Sequence, residues 1–131
     1  MATLQIIVVT PERTTLDQTT ESVTVPLLDG EAGILLGHAP MIGRLAPGEL
    51  RISAGGKSQR FYVDGGFVQV ADNVVSVLTG RSIPVEQIDV AAARQILEKT
   101  EILPSEKSEV IEGKNKLIAQ ARAQIRIAGS R

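Results

Sequence analysis

Glycine and proline thin out sharply after Pro84, and that change constrains the fold more than any other feature of the chain. Residues 1–84 carry ten of the twelve glycines, five of the six prolines and all three aromatics, Phe61, Tyr62 and Phe67. The 47 residues that follow carry seven alanines and four of the five lysines. Gly and Pro break a chain into short segments, whereas Ala, Lys, Glu and Gln favour helix. The first part therefore reads as β and the second as α, with the boundary between residues 84 and 85.

Within the first part, β-branched runs recur at Leu4 to Val9, Ser22 to Leu27, Gly33 to Leu36, Leu50 to Ser53, Gln59 to Asp64, Phe67 to Ala71 and Val74 to Thr79. Gly55-Gly56 and Asp72-Asn73 are two-residue links that tolerate positive φ and so reverse a hairpin. Gly65-Gly66 inside a strand pattern marks a bulge or a close backbone approach. About ten short strands in such a stretch predict a sandwich or flattened barrel. With three aromatics, its core has to be built from Val, Ile, Leu and Ala.

The second part reads as an antiparallel helical hairpin. Ile88, Ala92 and Ile96 repeat at helical spacing, Glu86 and Asp89 suit a helix amino terminus, and Asp89 is placed to cap it. Pro104 interrupts, Ser105 offers a second cap, and Ile111, Ile118, Ala121, Ile125 and Ala128 form the next stripe. Gly113 predicts a bend or a later start to that helix. A stripe of Ala and Ile buries little area, so the hairpin is expected to dock only marginally unless it packs on the sandwich or on another chain. From residue 113 onward no acidic residue occurs, while Lys114, Lys116, Arg122, Arg126 and Arg131 are basic. The macrodipole explains cations near a helix carboxyl end, and an acidic partner would explain them equally.

The whole chain, 131 residues, is long enough for one domain or a small domain with an appendage. Fourteen Lys plus Arg stand against fifteen Asp plus Glu, so no cationic excess points to nucleic acid or anionic lipid. There is no cysteine, which removes disulfides, thiolate metal sites and a Cys nucleophile. No apolar run approaches the roughly 20 residues that cross a bilayer, and the start lacks the features of a signal peptide. The expectation is a soluble chain that reaches a membrane only through another protein.

Little in the sequence suggests catalysis. His38 is the single histidine, in Gly37-His38-Ala39-Pro40, without a nucleophile elbow or a second ligand at metal spacing. Gly55-Gly56-Lys57-Ser58 looks like the tail of a phosphate loop, yet Arg51 stands where its first glycine belongs and a strand follows. No catalytic residue, metal site or cofactor is assigned.

One stretch carries a specific resemblance. Asp29-Gly30-Glu31-Ala32-Gly33-Ile34-Leu35-Leu36-Gly37-His38-Ala39-Pro40 resembles the signature of the epsilon subunits of F-type ATP synthases. Val9-Thr10-Pro11-Glu12-Arg13, Gly65-Gly66-Phe67-Val68-Gln69-Val70 with Asp72-Asn73-Val74-Val75, and Ile88-Asp89 keep the family's order and spacing over essentially the whole chain.

The resemblance implies a non-catalytic central-stalk subunit: a β-sandwich bound to the gamma subunit and the ring of c subunits, and a hairpin arm that in its extended form restrains ATP hydrolysis. It places Asp29, Gly30 and Glu31 toward the c ring and His38, Ala39, Pro40 and Met41 toward gamma. It places Lys114, Lys116, Arg122 and Arg126 toward the beta subunits when the arm extends. It further implies a peripheral position at a membrane; the lack of a targeting segment favours the cytoplasmic face of a bacterial inner membrane, and a plastid-encoded subunit would look similar.

The chain departs from the pattern at Leu36, where the family commonly has Pro. It departs again in the ATP-sensing motif, where Ile88, Asp89 and Ala93 are kept but Ala92 replaces arginine; Arg94 lies two residues further, about 200° around the helix. The competing readings are a free-standing sandwich-and-arm adaptor for another partner, and a small hydrolase working through His38 and a carboxylate.

Overall fold

The computed structural model describes residues 3–101 and 108–129. Eight strands come first: β1 (Leu4–Val9), β2 (Thr14–Thr20), β3 (Ser22–Leu27), β4 (Gly30–Leu35), β5 (Met41–Ala54), β6 (Lys57–Ala71), β7 (Val74–Leu78) and β8 (Ser82–Pro84). A 3-10 turn (Val85–Gln87) leads to helices α1 (Val90–Glu101) and α2 (Ser108–Gly129). A β-sandwich followed by two helices is the fold class expected. Pro104, Ser105 and Arg131 lie outside the described residues, as does the side chain of Ile111.

Strand number differs from the expectation of about ten short strands, because β5 and β6 run for 14 and 15 residues. The runs Gln59 to Asp64 and Phe67 to Ala71 are two halves of β6. Gly65 and Gly66, at φ of 100° and 114°, turn the chain between them, while pairing with β5 continues through Leu45↔Gly66 and Pro47↔Asp64. A Cβ on Gly66 would lie 2.0 Å from the carbonyl oxygen of Leu78, so only glycine fits that corner. The first half of β5 was hidden by Gly43, Arg44, Pro47 and Gly48. The polar β2 is an edge strand, where one face needs no apolar alternation.

Neighbouring strands follow the order β2-β1-β7-β6-β5-β3-β4, with β8 on the first half of β6. The two halves of β6 take different partners, β8 at Phe61 to Val63 and β7 at Phe67 to Ala71. The long β5–β6 hairpin thus bends across both layers. Inward positions alternate along each strand, and fourteen buried aliphatic side chains from β1, β3, β4, β5, β6 and β7 form one core. Gly55-Gly56 and Asp72-Asn73 close hairpins with positive φ at all four residues, as read from the sequence.

A second core lies on the outer side of β6. Tyr62, Val85, Ile88, Ala123, Ile127 and Ala128 are buried together, with Ile83 and Val90 packed against them. The hairpin is therefore folded onto the sandwich through α2. Asp89 caps α1 as expected, accepting from the Ala92 N–H at 2.9 Å. The stripe drawn through Ile88, Ala92 and Ile96 is not the buried face. Ile88 precedes the helix in extended conformation, so the helical phase starts after it. Ala92 and Ile96 are exposed, while Ala93 and Thr100 are buried. In α2 the expected Ala121 and Ala128 are buried, and Ala123, Gln124 and Ile127 add an adjoining face. The helix runs through Gly113, which has open space around it.

Candidate partner-docking surfaces

The β3–β4 hairpin reverses at Leu28-Asp29, since Leu27 pairs with Gly30 and the φ of Gly30 is 127°. Asp29, Gly30 and Glu31 are all exposed there, as is Leu28. The Leu28 N–H donates to the Arg44 carbonyl at 3.1 Å, which fixes the tip against β5. Glu31 is not simply solvated: its Oε2 lies 4.0 Å from Arg51 Nη2.

The turn between β4 and β5 is held from two sides. The His38 N–H donates to the Leu35 carbonyl at 3.1 Å, and the Gly37 N–H donates to Asn73 Oδ1 at 2.7 Å. Asn73 sits at the β6–β7 hairpin tip, so one side chain ties two turns into a single rim. The His38 ring is half-buried with Nδ1 2.7 Å from the Ala39 carbonyl oxygen. Ala39 and Pro40 are exposed and Met41 opens β5. Among the described residues, no group of three or more His, Cys, Asp and Glu side chains converges as a metal site.

Next to that rim lies an apolar face that the sequence reading missed. Cross-strand pairing sets Val9, Leu78, Phe67 and Arg44 in one row over β1, β7, β6 and β5. Ile7, Ser76, Gln69 and Ile42 form the adjacent row. Ile42 is 77% exposed, Phe67 53% and Leu78 50%. Pro40, Met41, Ile42, Gln69, Val70 and Ala71 line a shallow groove of about 360 Å³ at its edge. The signal was present: in Phe67-Val68-Gln69-Val70 and Val74-Val75-Ser76-Val77-Leu78 both alternating phases carry large apolar residues, which one buried face does not require.

The opposite layer receives α2. Tyr62 is fully buried beneath it; its hydroxyl donates to Asp64 and shares a hydrogen bond with Gln124. Burial first, then Asp64, pushes that hydroxyl well above the ordinary phenol range. Arg81 lies 5.7 Å from the ring centre and pairs with Asp64 at 3.1 Å. Beside Tyr62, Arg60 donates to Glu49 through Nε at 3.0 Å and Nη2 at 2.7 Å, and reaches the Ile127 carbonyl at 3.5 Å. The Arg60 hydrogen bond holds the Glu49 carboxyl below its ordinary value.

Of the cations on α2, Lys116, Arg122 and Arg126 are exposed and Lys114 is half-buried. Arg126 borders a groove of about 530 Å³ that Glu31, Glu49 and Arg51 also line, so the fold brings the end of α2 close to the β3–β4 hairpin. Ile88 and Ala93 are buried, and the Asp89 carboxylate is engaged as the helix cap.

The family described as ATP synthase, Delta/Epsilon chain, beta-sandwich domain matches residues 3–85. A curated relative from Rhodopirellula baltica, an ATP synthase epsilon chain, is 46% identical over 94% of this chain and 96% of its own length. The chain belongs to the epsilon family of ATP synthase chains. Another relative so named, from a Synechococcus strain, is 37% identical over 93% of this chain and 89% of its own. An epsilon chain from Propionigenium modestum, named as sodium ion specific, is 31% identical over 98% and 95%. Among solved structures, a chain of the Euglena gracilis mitochondrial ATP synthase, in an assembly titled OSCP/F1/c-ring, superposes with a TM-score of 0.84. It is 25% identical and covers 100% of this chain and 83% of its own. Epsilon-family membership thus agrees with the sandwich, the two helices and the signature from Asp29 to Pro40.

Proposed function

We propose that the chain is a non-catalytic rotor subunit of an F-type ATP synthase, binding gamma and the c ring and so coupling ion-driven rotation to ATP synthesis. The observation that carries the reading is the exposed apolar face of Ile42, Phe67 and Leu78, continuous with the rim from His38 to Met41, on a chain of the epsilon family. A monomer gains nothing from such a face, whereas a packed partner buries it. Gamma is its occupant in this reading, and Asp29, Gly30 and Glu31 meet the polar loops of the c ring. Residues 1–84 form the binding unit and 85–131 the arm. In an extended arrangement Lys114, Lys116, Arg122 and Arg126 meet acidic segments of the catalytic subunits and restrain hydrolysis.

Among the described residues no helix is long and apolar enough to cross a membrane, so attachment runs through the complex, on the cytoplasmic face of a bacterial membrane in this reading. Co-expression of the tagged chain with its own gamma subunit tests it. Capture of gamma by the wild-type chain is expected, and Ile42→Glu with Phe67→Glu abolishes it without lowering the melting temperature. No capture by the wild-type chain removes the reading.

A further inference from the structure

The β3–β4 hairpin and the last turn of α2 are joined by one row of charges. Glu31 Oε2 is 4.0 Å from Arg51 Nη2, and Arg51 Nη1 is 3.6 Å from Glu49 Oε1. Glu49 accepts two hydrogen bonds from Arg60, whose Nη2 also reaches the Ile127 carbonyl at 3.5 Å. That carbonyl lies in the final turn of α2, where helix carbonyls lack intrahelical donors.

Register explains why the row is finely balanced. Arg51 and Arg60 are direct cross-strand partners on β5 and β6, and like charges in that position repel. Glu49, two residues from Arg51 on the same face, is the carboxylate both can use. Glu31 gives Arg51 a second carboxylate and leaves Glu49 to grip Arg60 with both oxygens. A two-point grip fixes the guanidinium plane, and with it the group aimed at Ile127.

We propose that this row couples the two surfaces: when a cationic group of a partner engages Glu31, Arg51 turns to Glu49, Arg60 loses its two-point grip, and α2 is released more readily from the sandwich. The inference rests on the reading of Asp29 to Glu31 as a partner-facing loop. Linkage makes the effect reciprocal, so an undocked α2 frees Glu31 for its partner.

Amide hydrogen exchange on the full-length chain, with no partner present, tests the device. Removing the charge in Glu31→Gln mimics its engagement and is expected to raise exchange in α2 by about two- to fivefold, the range open to exposed ion pairs. Amides of β1 and β7 serve as the internal reference and stay unchanged. In an Arg51→Ala background, Glu31→Gln has no effect, because the competitor for Glu49 is gone. Arg60→Lys keeps the charge but not the fork, and raises α2 exchange in either background. An unaltered α2 in Glu31→Gln, or an effect that persists in Arg51→Ala, overturns the proposal. Because no partner enters the experiment, its failure is distinct from a failure to capture gamma.

Discussion

Tyr62 and Val63 are neighbours in the chain, both fully buried, and belong to different cores. Val63 faces inward among the aliphatic side chains of the sandwich, while Tyr62 faces outward and is covered by Ala123, Ile127 and Ala128 of α2. Strand alternation places them on opposite sides of β6, and only the hairpin makes the outer side an interior. The small residues on α2 could not have docked strongly against each other; Tyr62 supplies the large apolar body and a hydroxyl with partners on both elements.

Replacement of Tyr62 with Phe keeps the ring and removes the hydroxyl shared with Asp64 and Gln124. Gln124, itself buried, is left without that bond, at a cost of about 1–3 kcal/mol. Urea denaturation reads the loss, and hydrogen exchange is expected to rise in α2 more than in β1 or β7.

Gly66→Ala drives a methyl group into the Leu78 carbonyl at a φ of 114°. Strain and overpacking together predict a loss of about 3 kcal/mol or more. Gly33→Ala meets nothing within 4 Å and is expected to be nearly neutral by the same denaturation assay.

Alkali and acid act on different groups beneath α2. The Tyr62 hydroxyl is held above its ordinary value of 10.0, chiefly by burial, so the neutral form is favoured in the folded chain. Its contribution is whole below that value and declines as pH rises past it. Glu49 is held below its ordinary value of 4.5 by Arg60, so its contribution is present above that value and is lost as pH falls through its folded one. Thermal melts from about pH 3 to about pH 11 are expected to lose the alkaline limb in Tyr62→Phe and the acid limb in Glu49→Gln.

Truncation after Val85 leaves the sandwich core complete, because its fourteen buried residues all come from the strands. Tyr62, Ile83 and Val85 lose their cover, so the product is expected to unfold cooperatively but at lower denaturant. In the assembled enzyme, ATP hydrolysis should rise if the arm restrains it. Unchanged hydrolysis would make the arm structural only.

The isolated chain is expected to bind ATP no tighter than about 1 mM by calorimetry. The Asp89 carboxylate already caps α1, and the exposed Ala92 offers a methyl where the family's motif has arginine. Micromolar affinity would overturn that expectation.

Punctuation and periodicity made much of the fold legible. The glycine pairs at 55–56 and 65–66, the Asp72-Asn73 tip and the Asp89 cap act within a few residues, and each is where the sequence placed it. β2 and the start of β5 were not legible, since an edge strand and a Gly- and Pro-bearing strand lack the apolar alternation that announces a strand. The face of α1 was misread for a local reason, an isoleucine counted into a helix that begins after it. At the docking surfaces, the signature located the two turns, but the row of Val9, Leu78 and Phe67 comes from three strands whose register no short window contains.

The amino-acid sequence by itself determined the types of element, their order and the tight turns, because those depend on backbone preferences and contacts a few residues apart. Only the tertiary structure decided which strand faces are covered: Tyr62 by α2, the Phe67 face by nothing among the described residues, and Glu31 linked to Ile127 through Arg51, Glu49 and Arg60. Alternation gives every strand two faces. What buries each one is settled by chain closure over long separations, and by the balance of like and opposite charges that closure brings together.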